Sequence, residues 1–236
     1  IGESAMAEAV HDLIEAGRAP TVAPYATRRG ETRLRLTVRA GDAEEAERLF
    51  APVEAEIRRR LGRYLFGVDE ETLEGVVGRL LGERGLTLAT AESCTGGLIG
   101  HRLTNVPGSS GYYLGGVVAY ANSAKTRLLG VEETILSARG AVSAETARVM
   151  AEGVRRAFGA DLGLASTGIA GPGGGTPEKP VGLVYLALAW EGGVETRRHL
   201  FAWDRLGNKE AAAQAALGLV WEWLRDRMDG RSDSAH

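Results

Sequence analysis

The chain has one cysteine, no long apolar run and little net charge, and each of these features excludes a structural element or a class of partner. A single cysteine among 236 residues rules out an internal disulfide. No apolar run is long enough to cross a bilayer. The net charge of −3 gives no general field that would attract nucleic acid or an anionic membrane. We therefore expect a soluble, cytoplasmic protein that binds neither membrane nor nucleic acid and selects its partners through local sites.

The first residues, IGESAMAEAV, have neither a basic segment nor a long apolar stretch. We therefore expect no signal peptide. The chain begins with Ile rather than Met, which leads us to expect a fragment of a longer protein.

Residues 1–68 predict a small α+β domain. Apolar residues at helical or alternating spacing indicate a helix, two strands, a second helix and a short strand. The expected bounds are 3–16, 20–27, 32–39, a helix that begins after Asp42, and 64–68.

Three local features of this segment carry specific expectations. Residues 28–30, RRG, predict a turn between the two strands. Asp42 can cap the following helix, with Glu45 reaching back in a capping-box arrangement. Pro52 lies inside that helix and should kink or split it, because proline lacks a backbone N–H and its ring crowds the preceding turn.

Residues 69–228 change character and predict a three-layer α/β/α domain. Only Gly192 and Gly193 separate its last two strands, which predicts an antiparallel hairpin and hence a mixed sheet. The polar residues 229–236 are expected to form a disordered tail. The predicted helices are 70–84, 95–103, 143–158 and 207–227. The predicted strands are 86–91, 116–120, 162–166, 182–190 and 194–203.

The stretch TAESCTGG, residues 90–97, lies where a predicted strand ends and a helix begins. Open α/β sheets bind ligands at such positions, glycines allow close backbone approach, and free amides at a helix start favour an anion or a developing oxyanion. Ser93 is therefore a candidate nucleophile, with helix capping as the alternative. Cys94 is more typical of a buried thiol than of a reactive one. The stretch does not match the GxSxG motif of many serine hydrolases.

A serine nucleophile needs a base, and the sequence offers few. None of its four histidines lies in a predicted loop at the strand ends. The three lysines are Lys125, Lys179 and Lys209. Lys125 follows a predicted strand in the stretch YANSAK, so a pair with Ser93, assisted by Tyr120, is conceivable if desolvation lowers the lysine pKa from ~10.4 toward neutrality. The alternative is a solvated lysine on a surface helix.

The glycine-rich loop 166–182, STGIAGPGGGTPEKPVG, follows another predicted strand. It has neither the Walker A order nor a GxGxxG that opens a helix, so nucleotide-triphosphatase and Rossmann assignments lack support. Its backbone donors and the hydroxyl of Thr167 suit a phosphate or sugar, with a flexible connection as the alternative. Arg205, after the last strand, could bind phosphate through a bidentate contact or form a surface pair with Asp204.

Four motifs in the same order resemble the C-terminal domain of the CinA family, the competence- and damage-inducible protein homologues. They are AESCTGG, YANSAK, STGIAGPGG with GTPEKPVG, and FAWDR, and the resemblance covers about 70–224. Residues 1–68 resemble the small KH-type domain that precedes it in full-length members. The family's larger N-terminal nucleotide-processing domain has no counterpart in the chain, in keeping with a fragment.

The resemblance implies a nicotinamide-nucleotide amidase, which hydrolyses nicotinamide mononucleotide to nicotinate mononucleotide and ammonia. It implies Ser93 as the nucleophile and Lys125 as the base. It also implies that Tyr120 assists proton transfer or holds the lysine. No cofactor and no metal is expected, and a homodimer is expected because members of the family commonly self-associate.

Further residues are expected to bind the mononucleotide. Thr167 and Arg205 match substrate-binding positions of the family, and Gly168 and Gly171 lie in the same glycine-rich loop.

A separate physical argument concerns the oxyanion. We expect the amides around Thr95 and Gly96 to stabilise it, because they lie at the predicted helix start.

Two positions depart from the family pattern. Trp203 stands where a glycine usually precedes Asp-Arg, and Lys209 replaces an arginine, so the nucleotide contacts are expected to differ in detail from those of the family. The KH-type segment lacks the GXXG loop that clamps a nucleic-acid backbone, and its arginines are balanced by acids. The rival hypothesis is a non-catalytic nucleotide-sensing or nucleic-acid-binding module, for which the arginines of the strand 32–39 are the only hint.

Overall fold

The computed structural model describes residues 2–17, 19–26 and 31–227. The chain divides after Val68 into two compact units. The predicted turn at 28–30 and the predicted tail at 229–236 lie outside the described residues.

The first unit combines helices with a two-stranded antiparallel sheet, β1 and β2. Its core contains the buried side chains of Met6, Val10, Val22, Ile57 and Leu61. The elements are α1 (Glu3–Ala9), α2 (His11–Glu15), β1 (Thr21–Ala26), β2 (Thr32–Thr37), α3 (Ala43–Leu61) and a 3-10 turn (Gly62–Tyr64).

Three expectations for this unit are corrected. The first helix is interrupted at Val10, which has a φ of −123° and a fully buried side chain. Helix α3 runs unbroken through Pro52, so it is not split, while the predicted kink stays a prediction; Pro52 is exposed, so that water can reach the carbonyl left without a donor. The predicted strand 64–68 is absent, because Gly62–Tyr64 continues α3 as a 3-10 turn and no described strand pairs with the residues that follow.

The start of α3 follows the predicted capping pattern. The backbone N–H of Glu45 donates to the Asp42 carboxylate at 2.8 Å. The Glu45 carboxylate in turn accepts from the backbone N–H of Gly41 at 2.7 Å. Capping of this kind satisfies helix donors that would otherwise have no partner.

The second unit is built on a five-stranded mixed sheet in the order β4-β3-β5-β6-β7. β3 is parallel to β4 and β5, while β6 is antiparallel to both β5 and β7. The elements are α4 (Leu73–Glu83), β3 (Leu88–Glu92), α5 (Leu98–Thr104), β4 (Tyr113–Val118), α6 (Asn122–Leu129), α7 (Glu133–Arg139), α8 (Ala144–Phe158), β5 (Leu162–Gly168), β6 (Leu183–Trp190), β7 (Gly193–Leu200) and α9 (Arg205–Asp226).

Helices cover both faces of this sheet, which confirms the predicted fold class. α8 packs on one face, where alanines of the sheet alternate with residues that point to the opposite face. A Cβ atom at Gly163 would lie 2.1 Å from the Ala151 carbonyl oxygen, so α8 approaches the sheet too closely for any side chain there. α9, together with α4 and α5, forms the other layer.

Each predicted strand of this unit overlaps an observed one, and the predicted β6–β7 hairpin is present with Trp190 opposite Gly193. Two short helices, α6 and α7, were not predicted. The parallel strands bring their carboxyl ends together, since Glu92 of β3 lies opposite Ser166 of β5. The candidate residues that follow these strands therefore meet at one edge of the sheet.

Candidate active site

A serine and a lysine from different segments are in contact at this edge. Ser93 follows β3, and its backbone N–H donates to the Ser166 carbonyl of β5 at 2.9 Å. Lys125 lies in the first turns of α6, and its Nζ is 3.0 Å from Ser93 Oγ. This distance permits direct proton transfer between the two groups.

The Lys125 side chain is only 1% exposed, although lysine is rarely buried without a charged partner. Its Nζ donates to the carbonyl of Ala119 at 2.8 Å and to that of Tyr120 at 3.3 Å. Desolvation by burial lowers the pKa of Lys125, because it penalises the charged form, and the nearby Cys94 acts in the opposite direction.

This environment suits a neutral amine. A neutral amine has two N–H groups and one lone pair. With the two N–H groups directed at the carbonyls of Ala119 and Tyr120, the lone pair is left for the hydroxyl of Ser93. Lys125 can therefore accept the Ser93 proton without losing a carbonyl contact.

Glu92, the residue before Ser93, was not singled out from the sequence. Its carboxylate is 2% exposed and accepts from the Thr95 hydroxyl at 2.7 Å. It also accepts from three backbone N–H groups at the start of α5, those of Gly97 at 2.9 Å, Ile99 at 3.0 Å and Gly100 at 2.8 Å. The available signal was an acidic residue three positions before a predicted helix start.

This network bears on the expected roles of Thr95 and Gly96. Thr95 is fully buried and gives its only hydroxyl proton to Glu92, so the Ser166 hydroxyl, 2.7 Å away, donates to Thr95. The Gly96 N–H donates to the Ser93 carbonyl at 3.2 Å. That amide therefore already has an acceptor within the turn, and the expectation that the amides around Thr95 and Gly96 stabilise an oxyanion stays a prediction.

Cys94 lines the same cavity as Ser93. Burial raises the pKa of its thiol to about 12, so the thiol stays protonated under ordinary conditions. This agrees with the expectation of a buried, unreactive cysteine.

Tyr120 contributes to the site through two different atoms. Its carbonyl accepts from Lys125, while its hydroxyl accepts from Arg205 at 3.0 Å. The ring is 62% exposed at the cavity. Arg205 also donates to the Gly171 carbonyl at 2.6 Å, so it joins Tyr120 to the glycine-rich loop.

The glycine-rich loop supplies a further wall. The Thr167 hydroxyl donates to the Ala141 carbonyl at 2.6 Å, so it is left with acceptor capacity toward a ligand. Gly168 also lines the cavity, whereas Gly171 takes part through its carbonyl contact with Arg205.

The cavity has a volume of about 200 Å³ and gathers six of the nine residues predicted for the site. Those six are Ser93, Tyr120, Lys125, Thr167, Gly168 and Arg205. The side chain of Asn122 and residues 141 and 142, before α8, also line it and were not predicted. The other three predicted residues do not line the cavity; they are Thr95, Gly96 and Gly171.

The two positions that depart from the family pattern lie near this cavity. Trp203 is 67% exposed, directly before the Asp204 cap of α9. Lys209 is one helical turn beyond Arg205, and its Nζ would be 3.6 Å from a Cβ atom at Gly96. A second cation therefore lies beside the turn that carries Ser93.

The described segments, 2–17, 19–26 and 31–227, contain neither a metal-binding cluster nor a membrane-spanning helix. No group of three or more His, Cys, Asp and Glu side chains is placed to hold a metal ion. Within the same segments, no helix combines the length and apolar character needed to span a membrane.

The fold and the site together define an α/β/α domain with a buried serine–lysine pair at the strand ends. The CinA C-terminal domain family matches residues 70–224, and the damage-inducible protein CinA KH domain family matches residues 1–67. The chain belongs to the CinA family.

Individual relatives have names that agree with this family. The chain is 57% identical over 225 residues to a competence-damage inducible protein of Moorella thermoacetica, with 95% of this chain and 54% of that protein covered. It is 49% identical over 220 residues to a CinA-like protein of Kosmotoga olearia, with 93% and 53% covered. The chain thus spans about half the length of these relatives.

Solved structures match about two thirds of the chain. The competence damage-inducible protein A (ComA) of Klebsiella pneumoniae is 37% identical with a TM-score of 0.63, covering 65% of this chain and 95% of that chain. The competence/damage inducible protein CihA of Agrobacterium tumefaciens is 39% identical with a TM-score of 0.62, covering 67% and 99%.

Proposed function

We propose that the protein is a nicotinamide-nucleotide amidase that converts nicotinamide mononucleotide and water to nicotinate mononucleotide and ammonia. The single observation that supports this most is the 3.0 Å contact between Ser93 Oγ and Lys125 Nζ inside a cavity that also contains Arg205. The pair supplies a nucleophile and its base, and the arginine supplies a cation for the phosphate of the substrate.

In the first half-reaction, Ser93 Oγ attacks the carboxamide carbon while its proton passes to Lys125. The tetrahedral intermediate then collapses, Lys125 returns the proton to the departing nitrogen, and ammonia leaves. The positive pyridinium ring withdraws electrons from the carboxamide and makes its carbon a better electrophile. The product of this half-reaction is an ester between Ser93 and the nicotinoyl group.

In the second half-reaction, water attacks the ester carbonyl and gives a proton to Lys125. The Ser93–carbonyl bond breaks, and the proton returns to Ser93 Oγ. Nicotinate mononucleotide is released and the resting site is restored. Lys125 thus serves as base and acid in turn, which requires the lowered pKa that burial confers.

The oxyanion needs donors in addition to the Gly96 amide. Cys94 lines the cavity next to Ser93, and within residues 31–227 no backbone carbonyl accepts from its N–H. We assign this N–H to the oxyanion, where a single donor is typically worth about 2.7 to 4 kcal/mol of transition-state stabilisation.

The phosphate is assigned to the start of α9. Arg205 and Lys209 lie four residues apart on this helix, on its side toward Tyr120 and Gly96. Tyr120 orients the guanidinium of Arg205 and, through its carbonyl, the amine of Lys125. One residue therefore links the binding of the phosphate end to the placement of the base.

Ammonia release from the mononucleotide tests the proposal. We expect steady release by the wild-type protein, much less from free nicotinamide, and a loss of at least about 10³-fold in kcat for Ser93→Ala. Ser137→Ala is the matched control, because Ser137 lies exposed on α7, where its hydroxyl donates to the Glu133 carbonyl at 2.8 Å. Release that persists unchanged in Ser93→Ala would refute the nucleophile, and no release by the wild type would refute the substrate.

A further inference from the structure

The Glu92 carboxylate is a buried charge without a cation in hydrogen-bond contact. Its four hydrogen bonds come from the Thr95 hydroxyl and from the N–H groups of Gly97, Ile99 and Gly100. An anion is stabilised at such a helix start because several N–H dipoles converge on it. Here the anion belongs to the chain itself.

These bonds fix the backbone turn that carries Ser93. Glu92 is the last residue of β3, and its backbone N–H donors lie after the turn, at the start of α5. The carboxylate therefore joins the residues before the turn to those after it. The Gly96 N–H and the Ser166 hydroxyl add two more contacts to the same turn, the first to the Ser93 carbonyl and the second to Thr95.

Glu92 is also linked to the base through its own backbone. Its carbonyl accepts from the N–H of Ala119 at 2.8 Å, and the Ala119 carbonyl accepts from Lys125 Nζ at 2.8 Å. The side chain of Glu92 therefore sets the turn that bears Ser93, while its main chain sets the segment that holds Lys125.

We infer that Glu92 is a positioning residue that holds Ser93 Oγ against Lys125 and fills the donors at the start of α5, thereby leaving the anionic end of the substrate to Arg205 and Lys209. The inference rests on the proposed function for the identity of the substrate only. The reactivity of Ser93 is measurable without any knowledge of the substrate.

Glutamine is the informative replacement because it keeps the shape of glutamate. One Glu92 oxygen accepts from Gly100 and the other accepts from Thr95, Gly97 and Ile99. Whichever oxygen becomes an NH2 group, at least one buried N–H would face another donor. The turn must then shift, and a shift of about 1 Å at a reacting atom can cost about 100-fold in rate.

The experiment compares Glu92→Gln with Glu74→Gln. Glu74 is also a buried glutamate, but it pairs with Arg102 on the α4 and α5 layer. Both variants lose a buried carboxylate, so both should lower the melting temperature. A fluorophosphonate that labels nucleophilic serines and the mononucleotide assay are then applied to each folded variant.

We expect Glu92→Gln to slow labelling of Ser93 and to lower kcat, each by about 100-fold, with KM changed by less than about threefold. Glu74→Gln should label and turn over at close to the wild-type rate. The inference is overturned if folded Glu92→Gln labels like the wild type, if Glu74→Gln loses labelling equally, or if the loss appears in KM alone.

A second pair covers the case in which Glu92→Gln does not fold. Thr95→Val removes one donor to Glu92, and Thr95→Ser restores it. Labelling should fall in Thr95→Val and recover in Thr95→Ser, and equal labelling of the two would count against the inference. If the wild type labels at Ser93 but releases no ammonia from the mononucleotide, the proposed substrate fails and the role of Glu92 stands.

Discussion

The hydroxyl of Tyr120 accepts a hydrogen bond from Arg205 at 3.0 Å, while the carbonyl of the same residue accepts from Lys125. The phenol is therefore directed to the cation that we assign to the substrate phosphate, and the main chain serves the base. This division of roles has a direct experimental consequence.

Tyr120→Phe should raise KM for the mononucleotide by about 10-fold or more and leave kcat within about threefold, because a hydrogen bond donated by a charged guanidinium is worth about 1.5 to 3 kcal/mol. The carbonyl contact to Lys125 is retained in this variant. Steady-state kinetics checks the prediction. A fall of 100-fold or so in kcat would instead assign the phenol to proton transfer.

Arg205→Ala should raise KM for the mononucleotide by about 10- to 100-fold, since a hydrogen bond to a charged group contributes about 1.5 to 3 kcal/mol. The preference for the mononucleotide over free nicotinamide should shrink by the same factor. Arg148→Ala is the control, because Arg148 pairs with Glu152 on the exposed side of α8. An unchanged preference in Arg205→Ala would remove the phosphate from this residue.

Lys125→Arg should lower kcat by about 10²- to 10⁴-fold, because a guanidinium stays protonated and cannot accept the serine proton. In the wild type, burial lowers the pKa of Lys125. The rate should therefore rise with pH as the amine loses its proton, with a midpoint below the ordinary lysine value of ~10.4. A pH profile of kcat/KM that falls over this limb would contradict the base assignment.

Cys94→Ala should retain kcat within about threefold, since burial raises the thiol pKa to about 12 and leaves no thiolate for attack. Native protein should also resist a maleimide at pH 8 and react only after unfolding. Mass spectrometry of the modified protein checks both states. Rapid alkylation of the native thiol would show that Cys94 is more accessible than its burial indicates.

Gly163→Ala should lower the free energy of unfolding by about 1 to 3 kcal/mol, because the new Cβ would overlap the Ala151 carbonyl of α8. Gly218→Ala is the matched control, as no atom lies within 4 Å of its added Cβ and it sits inside α9. That change should stabilise the protein by roughly 0.5 to 1 kcal/mol through helix propensity. Urea denaturation measures both, and equal effects would contradict the packing argument.

Periodicity predicted most of the second unit because its long elements bury one or both faces. α8 and α9 have long helical patterns, and β5 and β6 have almost continuous apolar runs. The helix Asn122–Leu129 was missed because eight mostly polar residues carry little pattern. Residues 64–68 suggested a strand by composition, but a strand exists only where a partner pairs with it.

The candidate site was predictable where it follows strand ends. Ser93 and Lys125 were singled out because they follow predicted strands, Tyr120 because it ends one, and the resemblance supplied their expected roles. Glu92 was not, since a glutamate in a sequence is ordinarily solvated and its donors come together only when the turn forms. The direction of the Tyr120 phenol likewise depends on Arg205, which is 85 residues away in the chain.

Helix α8 packs closely against alanine and glycine residues of the sheet, and this packing limits which residues around the cavity can be changed. Residues 141 and 142, which precede α8, line the cavity, and α8 cannot move toward the sheet or tolerate a side chain at Gly163. Trp203 and Leu206, on either side of Asp204 and Arg205 in the chain, are exposed, so changes at these two positions do not meet this packing limit. Tests of altered substrate choice in the proposed amidase would best begin at Trp203 and Leu206, with Ser93 and Lys125 left unchanged.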